Sequence, residues 1–399
     1  MEASVNPTDT KRANTPRLMA ADGLRALCVL IIALYHFWQQ SWLELSFNIG
    51  ARTFTLLPLL RTGYIFVDIM LMLSGFLLYL PYARAKLDGL PRPSTKEFFA
   101  KRAARILPGY LLGVFVPLLF FAIPGGEYHG ARDIASDLAP YLTFTQTWFQ
   151  KTYQHSRLNA VLWTVGVEAQ AYVLFPLAAK AFDRRPVASY TIMTAIGWAY
   201  RLTIWRTIPD LTLWVNQLPS FADVYANGML AALLFARWRS KRSTVLEHTL
   251  CTLGSCAAMF CIWRIVCLQS SLSWDRVGLH IGQAALRFPL TALGAVWLIT
   301  TERAFAGFRF MFGNKLWRWM SGVSYAFYIW HQWLAVKLRA DWRFPPYQAV
   351  ENPQFVSEQP WQTLYMITCF VVSLNAAAIV TYLWEQPIAN LLRRNRHAR

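Results

Sequence analysis

The sequence is short of acidic residues and offers nothing that reads as a metal or redox centre. Asp and Glu number 21 against 39 Lys and Arg, a formal net charge of +18. The six cysteines form no Cys-x-x-Cys pair, which excludes the usual zinc and thioredoxin-like motifs. Cys251, Cys256 and Cys261 instead recur along one apolar stretch with Cys267 at its far end, and read as small packing residues of a membrane helix. The positive charge is scattered over loops rather than gathered on one element, which argues against a nucleic-acid surface. No internal repeat or low-complexity tract is present. The opening MEASVNPTDTKRANTPR is a polar tail of mixed charge, and no small-residue cleavage site follows the first apolar run. That first helix is therefore expected to be retained, with no soluble domain expected beyond the last one.

What the chain has in abundance is apolar length. It is 55% hydrophobic over 399 residues, with 18 Trp, 17 Tyr and 26 Phe. Its apolar runs reach the roughly 20 residues that cross a bilayer, so the expected fold is all-α, a polytopic membrane bundle. Ten spans are expected, at about 20–40, 63–83, 105–123, 161–181, 186–204, 219–237, 248–268, 279–301, 321–338 and 362–386. With the N-terminus placed in the cytoplasm, the inner segments collect 26 Lys and Arg and the outer ones 12, while Arg287 falls inside a span. This bias predicts both termini cytoplasmic. The chain divides into a polar tail (1–19), a membrane domain (20–390) and a basic tail (391–399). The long outer segment 124–160, rich in Tyr, Trp and Phe, reads as an interfacial belt, with stacking on sugar rings the alternative. A second outer segment runs over about 340–360.

The stretch AADGLRALCVLIIALYHFW (20–38) organises the rest. Eleven residues separate Arg25 from His36, about three helical turns, so the two side chains point the same way about 16 Å apart along the axis. Asp22 lies within roughly 60° of that line. Ionisable groups at membrane depth face a protein interior or a wet cavity, unless they snorkel to an edge. Other spans carry polar stripes as well. Asp68 lies in the second, Thr164, Glu168 and Tyr172 repeat at i, i+4 in the fourth, and Ser324, Tyr328 and His331 share a face of the ninth. Counted at 1.5 Å per residue, His36 lies about 22 Å from the inner edge, Glu168 about 10 Å and Asp68 about 6–9 Å from the outer edge. That puts all three in one layer, with His331 near the midplane. Structural ion pairing is the alternative reading of these carboxylates. Arg102 and Arg105 enter the third span three residues apart, either to hold the loop inside or as a guanidinium fork for phosphates.

Together these stretches resemble the membrane-bound acyltransferase 3 family. The similarity rests on DGLRALCVLIIALYHF (22–37), FVDIMLMLSGFLL (66–78), KRAARILPGY (101–110), LWTVGVEAQAYVLFPL (162–177), SYAFYIWHQWL (324–334) and WEQPIA (384–389), in order along nearly the whole chain. Two departures are Ala21, where Leu is common before Asp22, and Ala169, where a second Glu is common after Glu168. The resemblance implies about ten membrane helices and transfer of acyl groups, commonly acetyl, from a cytoplasmic donor to carbohydrate or other hydroxyls. It also implies that Arg25 and His36 form the functional Arg-x10-His pattern of the first helix, and that Arg102 and Arg105 serve the donor.

The expectation that follows is an integral protein of the bacterial inner membrane. Acyl-CoA, acetyl-CoA above all, would be its co-substrate, and no cofactor would be permanently bound. Arg25, Arg102 and Arg105 would hold the donor, and His36 would act as base or acyl carrier with Glu168, or failing that Asp68, as its carboxylate partner. Asp22, Tyr172, Tyr328 and His331 would contact substrate. The rival of another class is a secondary transporter using the same midplane charges, although the paired halves typical of transporters are not seen.

Overall fold

The computed structural model describes residues 17–50, 52–238, 244–342 and 360–397. Most of the polar tail, the greater part of the second outer segment and the last two residues lie outside them. Helix α1 (Met19–Ser41) has an apolar body whose first turn is tied from elsewhere. The Glu302 carboxylate accepts the Ala20 amide at 2.7 Å, taking one of the unpaired amides of the helix start. Asp22, in that same turn, accepts from Ser321 Oγ at 2.9 Å and pairs with Arg17. The helix stops where Trp42 turns into the left-handed region and donates to the Trp38 carbonyl. A small exposed antiparallel hairpin follows, β1 (Ser46–Ile49) on β2 (Arg52–Thr55), the one departure from an all-α architecture among the described residues.

Next come a short α2 (Leu57–Thr62), α3 (Phe66–Leu87) and α4 (Thr95–Pro117), which continues through a π turn at Leu118–Ala122. Two short helices, α5 (Ala131–Leu142) and α6 (Gln150–Tyr153), lead into α7 (Trp163–Arg184) and α8 (Pro186–Thr207). Then follow α9 (Ala222–Arg237), α10 (Val245–Leu272), α11 (Arg276–Thr301), the short α12 (Ala306–Gly313) and α13 (Lys315–Ala340). Side-chain caps start three of these: Thr244 for α10, Asp275 for α11 and Asn314 for α13. Helix α14 (Pro360–Val380) passes through a π turn at Thr381–Glu385 into α15 (Gln386–His397).

Helices occupy all ten expected spans. Eight are long and apolar enough to cross a membrane by length and composition, with α8 (22 residues) and α13 (26 residues) as the other two. Helix α13 is more polar because it is buried within the bundle, so its Ser, Tyr and His face protein. The exterior is the opposite: Leu177 and Leu383 are 69% and 74% exposed, with Phe260, Ile367 and Ile379 also open. Apolar outside and polar inside is the inversion that lipid imposes. The protein is a polytopic all-α membrane bundle. Its core gathers around α1, α3, α9 and α13. Helices α3 and α9 touch at backbone distance, where a Cβ on Gly228 would meet the Met72 carbonyl oxygen at 2.1 Å.

The stretch expected to lie outside as an aromatic belt does not stay at the surface. Gln146, Thr147, Thr152 and Asn159 are all buried, and Asn159 donates to the Ile329 carbonyl at 2.9 Å. Ile329 is eleven residues before the end of α13, so the chain descends about 16 Å into the bundle before α7 begins. Buried Tyr141 and Tyr110 bond backbone carbonyls of this stretch and of α5, which satisfies polar groups that lipid could not. At the surface of this segment, Lys151 and Arg157 bind Asp133 and hold its carboxyl below the usual carboxylate range. Asp133 therefore anchors this segment at neutral pH, and its contribution is lost only as the pH falls through that lowered value.

Two buried ion pairs brace the helices. Asp68 of α3 meets Arg287 of α11 at 3.1 Å, and Arg201 of α8 pairs with Asp223 of α9 at 2.5 Å. Arg287 also donates to Asn216 Oδ1, Ser220 Oγ and the Val215 carbonyl, and is wholly buried. Removing one partner of such a pair leaves an uncompensated charge and costs about 3–5 kcal/mol. Arg287→Met is accordingly expected to lower the thermal midpoint of the detergent-solubilised protein markedly. Asp68→Leu combined with Arg287→Met should recover part of the loss. A single variant as stable as the parent would show that the pair does not brace the fold.

Candidate active site

The polar stripes converge on two places along α1. At the Arg25 end, a cavity of about 80 Å³ opens between α1, α3, α4, α7 and α13, room for several waters or one small anionic group. Arg25, Arg102 and Arg105 line it together with Glu168, Tyr172 and Tyr328. Three guanidiniums thus face one carboxylate. Glu168 accepts from Ser74 Oγ at 2.7 Å and from Tyr172 Oη at 2.6 Å. Among the described residues none of the three arginines forms a salt bridge. Arg102 lies over the Tyr172 ring at 5.9 Å with its buried Nε unpartnered. Tyr328 accepts from Thr164 Oγ1 at 2.9 Å, which joins α13 to α7 above the cavity.

About three turns further along α1, His36 faces His331 of α13 with ring centroids 5.1 Å apart. His331 is fully buried, and its Nδ1 lies 2.7 Å from the Tyr328 carbonyl and 3.2 Å from that of Phe327. Carbonyls only accept, so His331 carries its hydrogen on Nδ1 and presents a lone pair on Nε2, which has no partner. His36 Nδ1 lies 2.9 Å from Gln39 Oε1.

Several expectations need correction. No hydrogen bond joins Glu168 to His36. Glu168 stands with the arginines instead, because α7 begins deep in the bundle rather than at its edge: nine residues past buried Asn159, it is carried down to the level of Arg25. Asp68 is not beside His36 either. It is taken by Arg287, the ion-pairing alternative, so these carboxylates and His36 do not form one layer. Asp22 is committed to Ser321 and Arg17 at the start of α1 and does not line the cavity. Ser74, Gln39 and Tyr325, which also lines the cavity, are not marked out by the sequence. Ser74 follows Asp68 by six residues on the next turn but one, and Gln39 sits at i+3 from His36, a spacing that alone puts the pair on one face.

The family model Acyl_transf_3, an acyltransferase domain, matches residues 20–383. The chain belongs to the acyltransferase 3 family. Among the relatives of this chain, the peptidoglycan O-acetyltransferase OatA of Listeria monocytogenes is 22% identical over 340 residues, covering 81% of this chain and 50% of its own. The putative peptidoglycan O-acetyltransferase YrhL of Bacillus subtilis is 22% identical over 373 residues, 89% and 53% of the two chains. Acyltransferase MdmB of Streptomyces mycarofaciens is 25% identical over 228 residues, 56% and 53%. The chain spans about half the length of these curated relatives. No solved structure matches.

Proposed function

We propose that the protein is an acyl-CoA-dependent O-acyltransferase that moves an acyl group, acetyl above all, to a hydroxyl of an extracytoplasmic carbohydrate or glycoconjugate. One observation carries the reading: three guanidiniums that form no salt bridge among the described residues crowd a single small cavity, and two facing imidazoles stand about three turns along the same helix. Guanidinium binds phosphate bidentately, so Arg25, Arg102 and Arg105 take the phosphates of the donor. Glu168 keeps Tyr172 and the cavity wall in place at this donor end. The extended arm of the donor covers the rise of about 16 Å from Arg25 to His36. There the thioester meets the acceptor. His36 takes the hydroxyl proton as the oxygen attacks the carbonyl carbon. The C–S bond then breaks and the departing thiolate receives that proton. Tyr328 and the lone pair on His331 contact the acceptor. The names of the relatives support a carbohydrate acceptor, with peptidoglycan as the first to try.

The excess of Lys and Arg on one side supports an orientation with both termini and the donor cavity cytoplasmic in a bacterial inner membrane, and the imidazoles toward the far side. The test uses purified protein in liposomes with labelled acetyl-CoA in one compartment and chitopentaose in the other. Release of CoA thiol together with labelled acetyl ester on the oligosaccharide is the expected result. Passage of intact acetyl-CoA without thiol release would overturn the reading and favour a transporter.

A further inference from the structure

We infer that Gln39 is the positioning residue of His36, holding its hydrogen on Nδ1 and its lone pair on Nε2. The inference rests on the reading of His36 as the base. Gln39 is i+3 from His36 and i+4 from Tyr35, so all three side chains share one face near the end of α1. The Gln39 amide nitrogen donates to Tyr35 Oη at 2.7 Å, which leaves the amide oxygen facing His36 Nδ1 at 2.9 Å. An amide oxygen only accepts, so the hydrogen of the ring is on Nδ1. Tyr35 is itself held, its ring 5.3 Å from that of Tyr64 and 4.8 Å from His36. The amide is thus oriented from behind, and the imidazole from the amide.

No carboxylate competes for this role among the described residues. Glu168 is taken by Ser74 and Tyr172, and Asp68 by Arg287. Among the described residues the titratable groups around His36 and Tyr35 are Tyr35 on its own helix, Tyr64, Tyr153 and the facing His331. A neutral amide suits the place: it selects the tautomer without adding a charge at membrane depth, where a carboxylate would need a partner of its own. The two imidazoles, with ring centroids 5.1 Å apart, then both keep their hydrogen on Nδ1 and a lone pair on Nε2, His331 through its backbone carbonyls and His36 through Gln39. A lone pair on Nε2 accepts from a hydroxyl group that brings its own hydrogen.

The experiment measures thiol release from acetyl-CoA by the full-length protein in liposomes, across pH, for Gln39→Leu and Gln39→Glu beside His36→Ala. Gln39→Leu should lose about 10- to 100-fold in kcat with KM for acetyl-CoA unchanged, since the donor is held at the other end of α1. Gln39→Glu should regain most of the rate with the acid limb of its profile moved to higher pH, because a carboxylate holds the imidazolium. A Gln39→Leu enzyme with the parental rate, or an active Gln39→Glu enzyme with an unmoved acid limb, would overturn the inference. If His36→Ala is inactive in that same set, the base reading survives the failure of Gln39. If His36→Ala is fully active, the base reading itself is lost.

Discussion

His36→Ala is expected to reduce acyl transfer by about 10²–10⁴-fold, the contribution of a positioned general base, and in an ordinary assay to abolish it. Imidazole is the side chain whose ordinary titration lies near neutrality, and on α1 no other group near that depth can take a proton there. The loss should fall on kcat. Donor binding should persist, because the arginines stand about three turns away and none contacts His36. Packing should largely persist too, since His36 is half-buried and loses only its ring contacts with Tyr35 and His331. Transfer rates and acetyl-CoA binding, measured side by side on the same liposomes, separate these effects. Full activity in His36→Ala would discard the mechanism and leave His331, whose tautomer is fixed by two carbonyls, as the next candidate.

How far the sequence leads can be seen in particular residues. The helices were legible because bilayer thickness fixes their length, and apolar runs of that length have few other uses. Helix α13 was legible despite its polarity, since Ser324, Tyr328 and His331 repeat on one face. Depth was the quantity that failed. A count from a membrane edge at residue 160 misplaces Glu168, because the chain has already entered the bundle by then, as buried Gln146 and Asn159 show. A run of Gln, Thr and Asn looks the same in sequence whether it meets water or buried carbonyls. Asp68 shows the reverse case. Arg287 was visible as an arginine inside a span, and such a charge requires a counter-ion. The counter-ion is Asp68, and that pairing is what keeps Asp68 from His36.

The three guanidiniums supply the second large effect. Arg102→Ala and Arg105→Ala are each expected to weaken acetyl-CoA binding by about 10- to 100-fold, the 1.5–3 kcal/mol of a charge-assisted hydrogen bond at 1.4 kcal/mol per tenfold. Neither arginine forms a salt bridge among the described residues, and Glu168 keeps two guanidiniums beside it when one is truncated, so the protein should remain folded in the membrane. The two sites differ in one respect. Arg105 is exposed at the cavity mouth, whereas Arg102 lies partly buried over Tyr172, so Arg102→Ala should also loosen Tyr172 and with it the hydrogen bond to Glu168. Lysine at either position keeps the charge and loses the planar fork, which predicts partial rescue. Rising salt should narrow the gap between parent and variants if phosphate contacts are the cause. Equilibrium binding of acetyl-CoA, read beside dephospho-CoA, is the measurement. Normal donor binding by both alanine variants would leave these arginines with the task of holding their loop inside the cell, and the cavity would need another anion.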